Sequence, residues 1–207
     1  MRRAARRDAT RRELLLAGRR IFSREGIYSS RIEDIAHQAG LAKGTAYLYF
    51  HSKDELLGEV VREAFEALAA HVRAATAGAD GSELPEHIFR AHVGFYADNP
   101  DLMRILHQVR GLLKFSRTRG TRLRTHLRTH IEFLASLLAR GAQQGWSAAR
   151  RRELALFLFG SVSGTASVRV AAYPEENGLA AMAEIWAAPA AEAARVFAAR
   201  GGGKRRA

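Results

Sequence analysis

Seven consecutive residues, Lys43 to Tyr49, read KGTAYLY and bring an ammonium, a hydroxyl and two phenols onto less than two helical turns. A purely structural helix of this length more often has one plainly apolar and one plainly polar face. Lys43, Thr45, Tyr47 and Tyr49 instead present donors of the kind that phosphate oxygens and base edges accept. A further lysine, Lys53, opens the next helix, where free backbone N–H groups already favour phosphate. The chemistry these residues suit is recognition of a nucleic-acid duplex.

The elements around them must hold such a probe outward. Ile32, Ile35, Ala36 and Ala39 form the inner face of a preceding helix, which Ser30 and Glu33 are placed to open as a capping box. Gly40 ends that helix where φ turns positive. The connection is so short that the two helices must cross steeply. Ser52-Lys53-Asp54-Glu55 is a second S-x-x-E box. It opens a helix whose apolar stripe runs Leu56, Leu57, Val60, Val61, Ala64, Phe65, Leu68 and Val72. That stripe is too long for a three-helix head, so this helix is expected to link the head to a second domain. At the start of the head, Leu14, Leu15, Gly18, Ile21 and Phe22 line one face of a first helix that Gly26 stops.

From Ile32 to Leu57, then, the layout is helix, turn, short tyrosine-rich helix and capped helix. The residues Phe22, Glu25-Gly26, Asp34-Ile35-Ala36, Ala39-Gly40-Leu41, Lys43-Gly44-Thr45, Tyr47, Tyr49-Phe50, Ser52-Lys53 and Leu56-Leu57 resemble the pattern of the TetR family of bacterial transcriptional regulators. The resemblance covers about the first 60 residues. It implies a homodimer that places two helix-turn-helix heads on double-stranded DNA, most often a repressor released from a near-palindromic operator by a small-molecule effector. By the same resemblance Lys43, Gly44, Thr45 and Tyr47 belong to the recognition helix, and Tyr47 and Tyr49 give hydroxyls to phosphates. Lys53 corresponds to a phosphate-contacting lysine. Ser30 corresponds to the capping hydroxyl beside the DNA backbone, with Arg31 next to it in the same set. Ala42 and Ala46 depart from the family, which often has a serine and a larger aliphatic there.

Some positions keep two readings. Leu48 either touches a thymine methyl or stands exposed, His51 contacts phosphate or lies on the surface, and Tyr49 either contacts phosphate or packs. Phe50 reads as core, anchoring the recognition helix.

Composition agrees with a polyanionic partner. The 207 residues are 47% apolar and 26% charged, and 33 Lys plus Arg against 21 Asp plus Glu leave a formal charge of +12. Arg2, Arg3, Arg6, Arg7, Arg11 and Arg12 crowd the N-terminus, where residues 1–9 are expected to form a flexible basic arm that either enters an A·T-rich minor groove or only raises general attraction to DNA. A second basic run, Arg104 to Arg128, contains no acid and could face DNA, a ligand or solvent. Cysteine is absent, which excludes disulfides and Cys-ligated zinc. The longest uncharged run, Leu154 to Val168, falls short of the roughly 20 residues of a membrane span, and Leu14 to Leu16 is too short for a signal peptide. No membrane association is expected, and the expected location is cytoplasmic.

No strand is expected, since apolar residues recur at threes and fours, giving an all-α fold. Further helices are read at Pro85 to Asp98, Asp101 to Leu113, Gly120 to Gln143, Ala149 to Ala172 and Leu179 to Ala199, with breaks at Asn99-Pro100 and Tyr173-Pro174. The implied division is a head over residues 10–56, a larger regulatory and dimerisation domain over 57–200, and a disordered tail over 201–207. Phe95, Tyr96, Met103, Phe115, Phe133, Phe157 and Phe159 are candidates to line an effector pocket, although each is individually a candidate for core. Gly160, Ser163, Gly164 and Ala166 are small enough to let helices approach closely, either at the dimer interface the resemblance implies or within the core of one chain. His126 and His130 stand one helical turn apart, but with no third ligand beside them they read as a solvated pair rather than a metal site.

Two other function classes compete. The segment GSVSG, 160–164, superficially resembles a nucleophile elbow, but its serines fall at the second and fourth places and no strand precedes it. No phosphate-cradling glycine loop, HExxH or dinucleotide fingerprint is present, so no enzyme and no cofactor is expected. A non-specific nucleic-acid coat would explain the charge but needs no tyrosine-rich helix. A regulator without an effector is also compatible with the chain.

Overall fold

The computed structural model describes residues 2–115, 121–141 and 145–172, together with 189, 192–193 and 196. Within them lie eight helices: α1 (Arg2–Glu25), α2 (Ile32–Gln38), α3 (Lys43–Tyr49), α4 (Lys53–Ala75), α5 (Leu84–Asp98), α6 (Pro100–Phe115), α7 (Thr121–Leu138) and α8 (Ala148–Ala172). No strand occurs among the described residues, so the fold is all-α with an N-terminal helix-turn-helix. The expected helix over 179–199 and the tail over 201–207 fall outside the continuously described residues.

The chain divides into two compact units, one of 1–65 with 100–126, the other of 66–99 with 127–207. The unit holding the head is therefore larger than residues 10–56, because α6 packs against α1. Three side chains make that junction. Arg19 donates to Asp101, at 2.7 Å through Nη2, and the Gln108 amide clamps the end of α1. Gln108 Nε2 donates to Phe22 O at 3.1 Å, and its Oε1 accepts from Ile27 N–H at 2.7 Å. These are long-range polar contacts, which helical periodicity cannot announce.

Residues 1–9, expected as a flexible arm, are corrected: from Arg2 onward they are the first turns of α1. Alanine and arginine are strong helix formers and nothing breaks the run before Gly18. Thr10 Oγ1 also bonds back to Arg6 O at 3.1 Å. Gly18 lets α1 approach α4, since a Cβ there would stand 2.4 Å from Leu56 Cδ2. The core of this unit is built on Leu14, Phe22, Ile35, Ala46, Phe50, Leu56 and Ile105, all essentially buried.

In the second unit, Asn99 Nδ2 bonds Phe95 O at 3.0 Å and closes α5 one residue before Pro100, as the proline break requires. Helix α5 packs on α8, and Phe89, Phe95, Tyr96, Leu134, Leu138, Leu154, Leu158 and Val162 fill the core. Every member of the expected α4 stripe from Leu56 to Val72 is buried, with its N-terminal part in the first unit and its C-terminal part in the second.

Candidate nucleic-acid interface

Helix α2 ends in a Schellman closure. Gly40 lies at φ +70, Gly40 N–H reaches His37 O and Leu41 N–H reaches Ala36 O, both at 2.9 Å. The chain then extends through Ala42 (φ −68, ψ 147) into α3. Ala46 and Phe50 are the buried anchors of α3. A larger side chain at 46 would have to find room in a filled core, which accounts for alanine there. With those anchors inward, the opposite face turns to solvent. Lys43 and Gly44 are exposed, Tyr47 is 39% exposed and Leu48 75% exposed, whereas Thr45 and Tyr49 are half-buried. A Cβ on Gly44 would meet nothing within 4 Å, so backbone there is open to close approach.

An acidic residue stands among these donors. Glu33 on α2 accepts from Lys43 Nζ at 2.8 Å, and the Tyr47 hydroxyl donates to the same Glu33 Oε1 at 3.4 Å. The Lys43 ammonium also lies 5.9 Å from the centre of the Tyr47 ring. The hydrogen bond from Lys43 holds the Glu33 carboxyl below its ordinary range, and Glu33 in turn raises Lys43. Sequence reading missed this role and gave Glu33 to a capping box with Ser30. The bond that forms lies one residue later, where Asp34 Oδ2 accepts from Arg31 N–H at 3.2 Å.

Ser30 and Lys53 are placed differently from the expectation. Ser30 is 2% exposed and its hydroxyl donates to Ile27 O at 3.0 Å, so it faces inward and braces the turn before α2. Arg31 beside it is exposed. Lys53 Nζ donates to Ile27 O (2.6 Å), Ser30 O (2.7 Å) and Tyr28 O (3.2 Å). It ties the first turn of α4 to the loop that enters α2, acting as a strut rather than a phosphate ligand in this conformation. His51 is exposed, and its N–H is capped by Glu55 Oε2 at 2.7 Å while Ser52 Oγ accepts from Glu55 N–H at 3.1 Å. Tyr28, 71% exposed, and Arg31 extend the solvent-facing set.

Residues 14–60 match the family model of bacterial regulatory proteins, tetR family. The TetR-family match lies in the head, and an uncharacterized HTH-type transcriptional regulator of Haemophilus influenzae is 36% identical over 58 residues, 28% of this chain and 31% of that protein. The chain thus spans about a third of the length of that curated relative. The fold extends further than the sequence likeness. The fatty acid degradation regulator FadR of Bacillus halodurans superposes with a TM-score of 0.74 at 20% identity, covering 86% of this chain and 96% of that one. FadR of Bacillus subtilis, solved in complex with stearoyl-CoA, matches with the same values. A TetR-family regulator from Mesorhizobium loti gives 0.71 at 19% identity, over 93% and 96% of the two chains.

The pocket candidates do not form one set. Phe95 and Tyr96 are buried on α5, with ring centres 6.2 Å apart, and Phe133 is half-buried under the Arg73 guanidinium at 4.9 Å. Met103 is buried in the other compact unit, and the side chain of Phe115 lies outside the description. Phe157 is 42% exposed on α8, which places it on the outer face rather than in a lining. Ser163 likewise changes place: it is buried and donates to Phe159 O at 2.8 Å, away from the face that carries Gly160 and Gly164. Helical phase explains both shifts, since 157, 160, 164 and 168 share a stripe that 163 leaves.

The expected solvated pair His126 and His130 is also corrected. His130 is buried and its Nε2 lies 3.0 Å from Nε2 of His92, itself fully buried on α5. His92 Nδ1–H donates to Ile88 O at 2.7 Å, so neutral His92 has Nε2 as its acceptor and His130 supplies the N–H. Phe159 closes on both rings, at 5.8 and 5.4 Å. Burial, with His71 adding its charge, lowers His92 to about 4, and burial beside His92 lowers His130 to about 3.

Proposed function

We propose that this chain is a transcriptional regulator that reads duplex DNA as a homodimer, with α3 in the major groove of each half-site. The observation that carries the reading is the two-sided build of α3. Ala46 and Phe50 lock one side into the core, while Lys43, Gly44, Tyr47 and Leu48 face out. A coat protein has no use for such a fixed, donor-rich edge.

Helix α8 supports the homodimer. Leu156, Phe157 and Val168 are exposed along it, and a Cβ on Gly160 or Gly164 would meet nothing within 4 Å. An apolar stripe with small residues suits packing against the same helix of a second copy. Two heads related by a two-fold axis then call for a near-palindromic operator with half-sites about 34–36 Å apart.

The regulator is a repressor released by a small-molecule effector, and the first effector to try is stearoyl-CoA, the molecule bound by the structurally similar Bacillus subtilis protein. The test is selection of bound duplexes from a random pool, followed by gel shifts against excess competitor DNA. A palindromic consensus that survives competitor supports the regulator. Stripping by competitor supports a coat protein instead. Stearoyl-CoA at micromolar concentration is expected to release the selected duplex; retention under every acyl-CoA tried would leave a regulator without this effector class.

A further inference from the structure

We propose that Glu33 is a built-in competitor for DNA phosphate at the recognition helix, setting how tightly the head grips any duplex. The inference rests on the DNA-reading function proposed above and adds a residue outside the expected contact set.

One carboxylate oxygen, Glu33 Oε1, accepts from the ammonium of Lys43 at 2.8 Å and from the hydroxyl of Tyr47 at 3.4 Å. These are two of the donors α3 has for an anion, and a phosphate oxygen accepts the same pair of bonds. Their carrier is positioned by backbone: Glu33 lies in the first turn of α2, and the Gly40 closure brings α3 back beside it. The pair spans two helices, so it is not the routine i,i+4 ion pair of a solvated face. For a phosphate to take Lys43 it must displace Glu33 and then sit beside a negative charge. On a chain of formal charge +12, such a local acid trims sequence-independent attraction where the groove is read.

The experiment compares the full-length protein with Glu33→Gln, which keeps size and an acceptor for Tyr47 but removes the charge. Binding to a labelled random-sequence duplex, and to the selected operator, is measured by fluorescence anisotropy between 50 and 300 mM salt. Relieving one like charge at contact range is expected to tighten both duplexes on the order of fivefold at 50 mM. The slope of log K against log salt is expected to steepen by about 0.9, one more phosphate neutralised. In a Lys43→Ala background the same substitution is expected to give a much smaller gain, because the competition is for that ammonium.

Unchanged or weaker binding by Glu33→Gln overturns the inference, as does an equal gain with and without Lys43. If Glu33→Gln does not fold, Glu33→Ser is read by the same criteria. A wild-type protein that binds random duplex but prefers no operator sinks the regulator and leaves Glu33 testable on that duplex; a wild-type protein that binds no duplex sinks both.

Discussion

Acid should unfold this protein through two imidazoles. His92 and His130 share one hydrogen bond in the core of the second unit and are held at about 4 and about 3, against an ordinary 6.5. Their folded values are depressed, so the unfolded chain binds protons first as pH falls. The stability they allow is complete above about pH 6.5, falls as pH drops toward their folded values, and changes no further from this pair below about pH 3. At pH 5 the unfolded state gains about 2 kcal/mol per imidazole, or about 4 kcal/mol for the pair. A domain holds only about 5–15 kcal/mol in all, so the loss is large.

The acid-sensitive carboxylates act in a lower window. For Glu59 burial raises the carboxyl but Arg11 and Arg62 outweigh it, and for Asp101 burial is outweighed by Arg19. Both end below their ordinary 4.5 and 3.8, so their stabilisation is present above those values and lost beneath them. Urea denaturation at fixed protein concentration, at pH 7 and 5, isolates the histidines. The comparison is wild type against His92→Phe with His130→Leu, which removes both partners and strands neither. The other six of the eight histidines are common to both proteins and cancel. The double variant is expected to lose about 4 kcal/mol less than wild type between the two pH values. Equal losses in the two proteins would refute the buried neutral pair.

Three further outcomes follow from the geometry. Lys53→Met removes a donor shared by three carbonyls and should cost about 1–3 kcal/mol in denaturant unfolding; unaltered stability, with weaker DNA binding alone, would return Lys53 to a phosphate role. Gly40→Ala places a Cβ in open space at φ +70, so its cost of about 1–2 kcal/mol is purely backbone, and a thermal midpoint equal to wild type would contradict the assigned turn. Phe157→Glu puts a charge on the exposed stripe of α8 and should convert a sedimenting dimer to monomer without lowering monomer helicity; a dimer that persists removes α8 from the interface.

Helix positions were legible in the chain because their signals are local. The apolar stripe of α4, Gly26, Gly40 and Asn99-Pro100 each act within a few residues, and the helices form and stop where those signals stand. The inward burial of Phe50 followed from the same periodicity. The N-terminal arginines misled because charge suggested an arm, while backbone propensity, untouched by Gly or Pro, continued the helix.

Side-chain partnership is another matter. Periods of three to four and a glycine turn between short helices were enough to read helices and a helix-turn-helix head from the chain. That Lys53 braces a loop, that Glu33 holds Lys43 and Tyr47, that His130 meets His92 and that Ser163 turns inward depend on helices distant in sequence or on rotational phase. Those are settled only when packing has chosen which faces meet, because a hydrogen bond a few ångströms long has no signature in the order of residues that supply it.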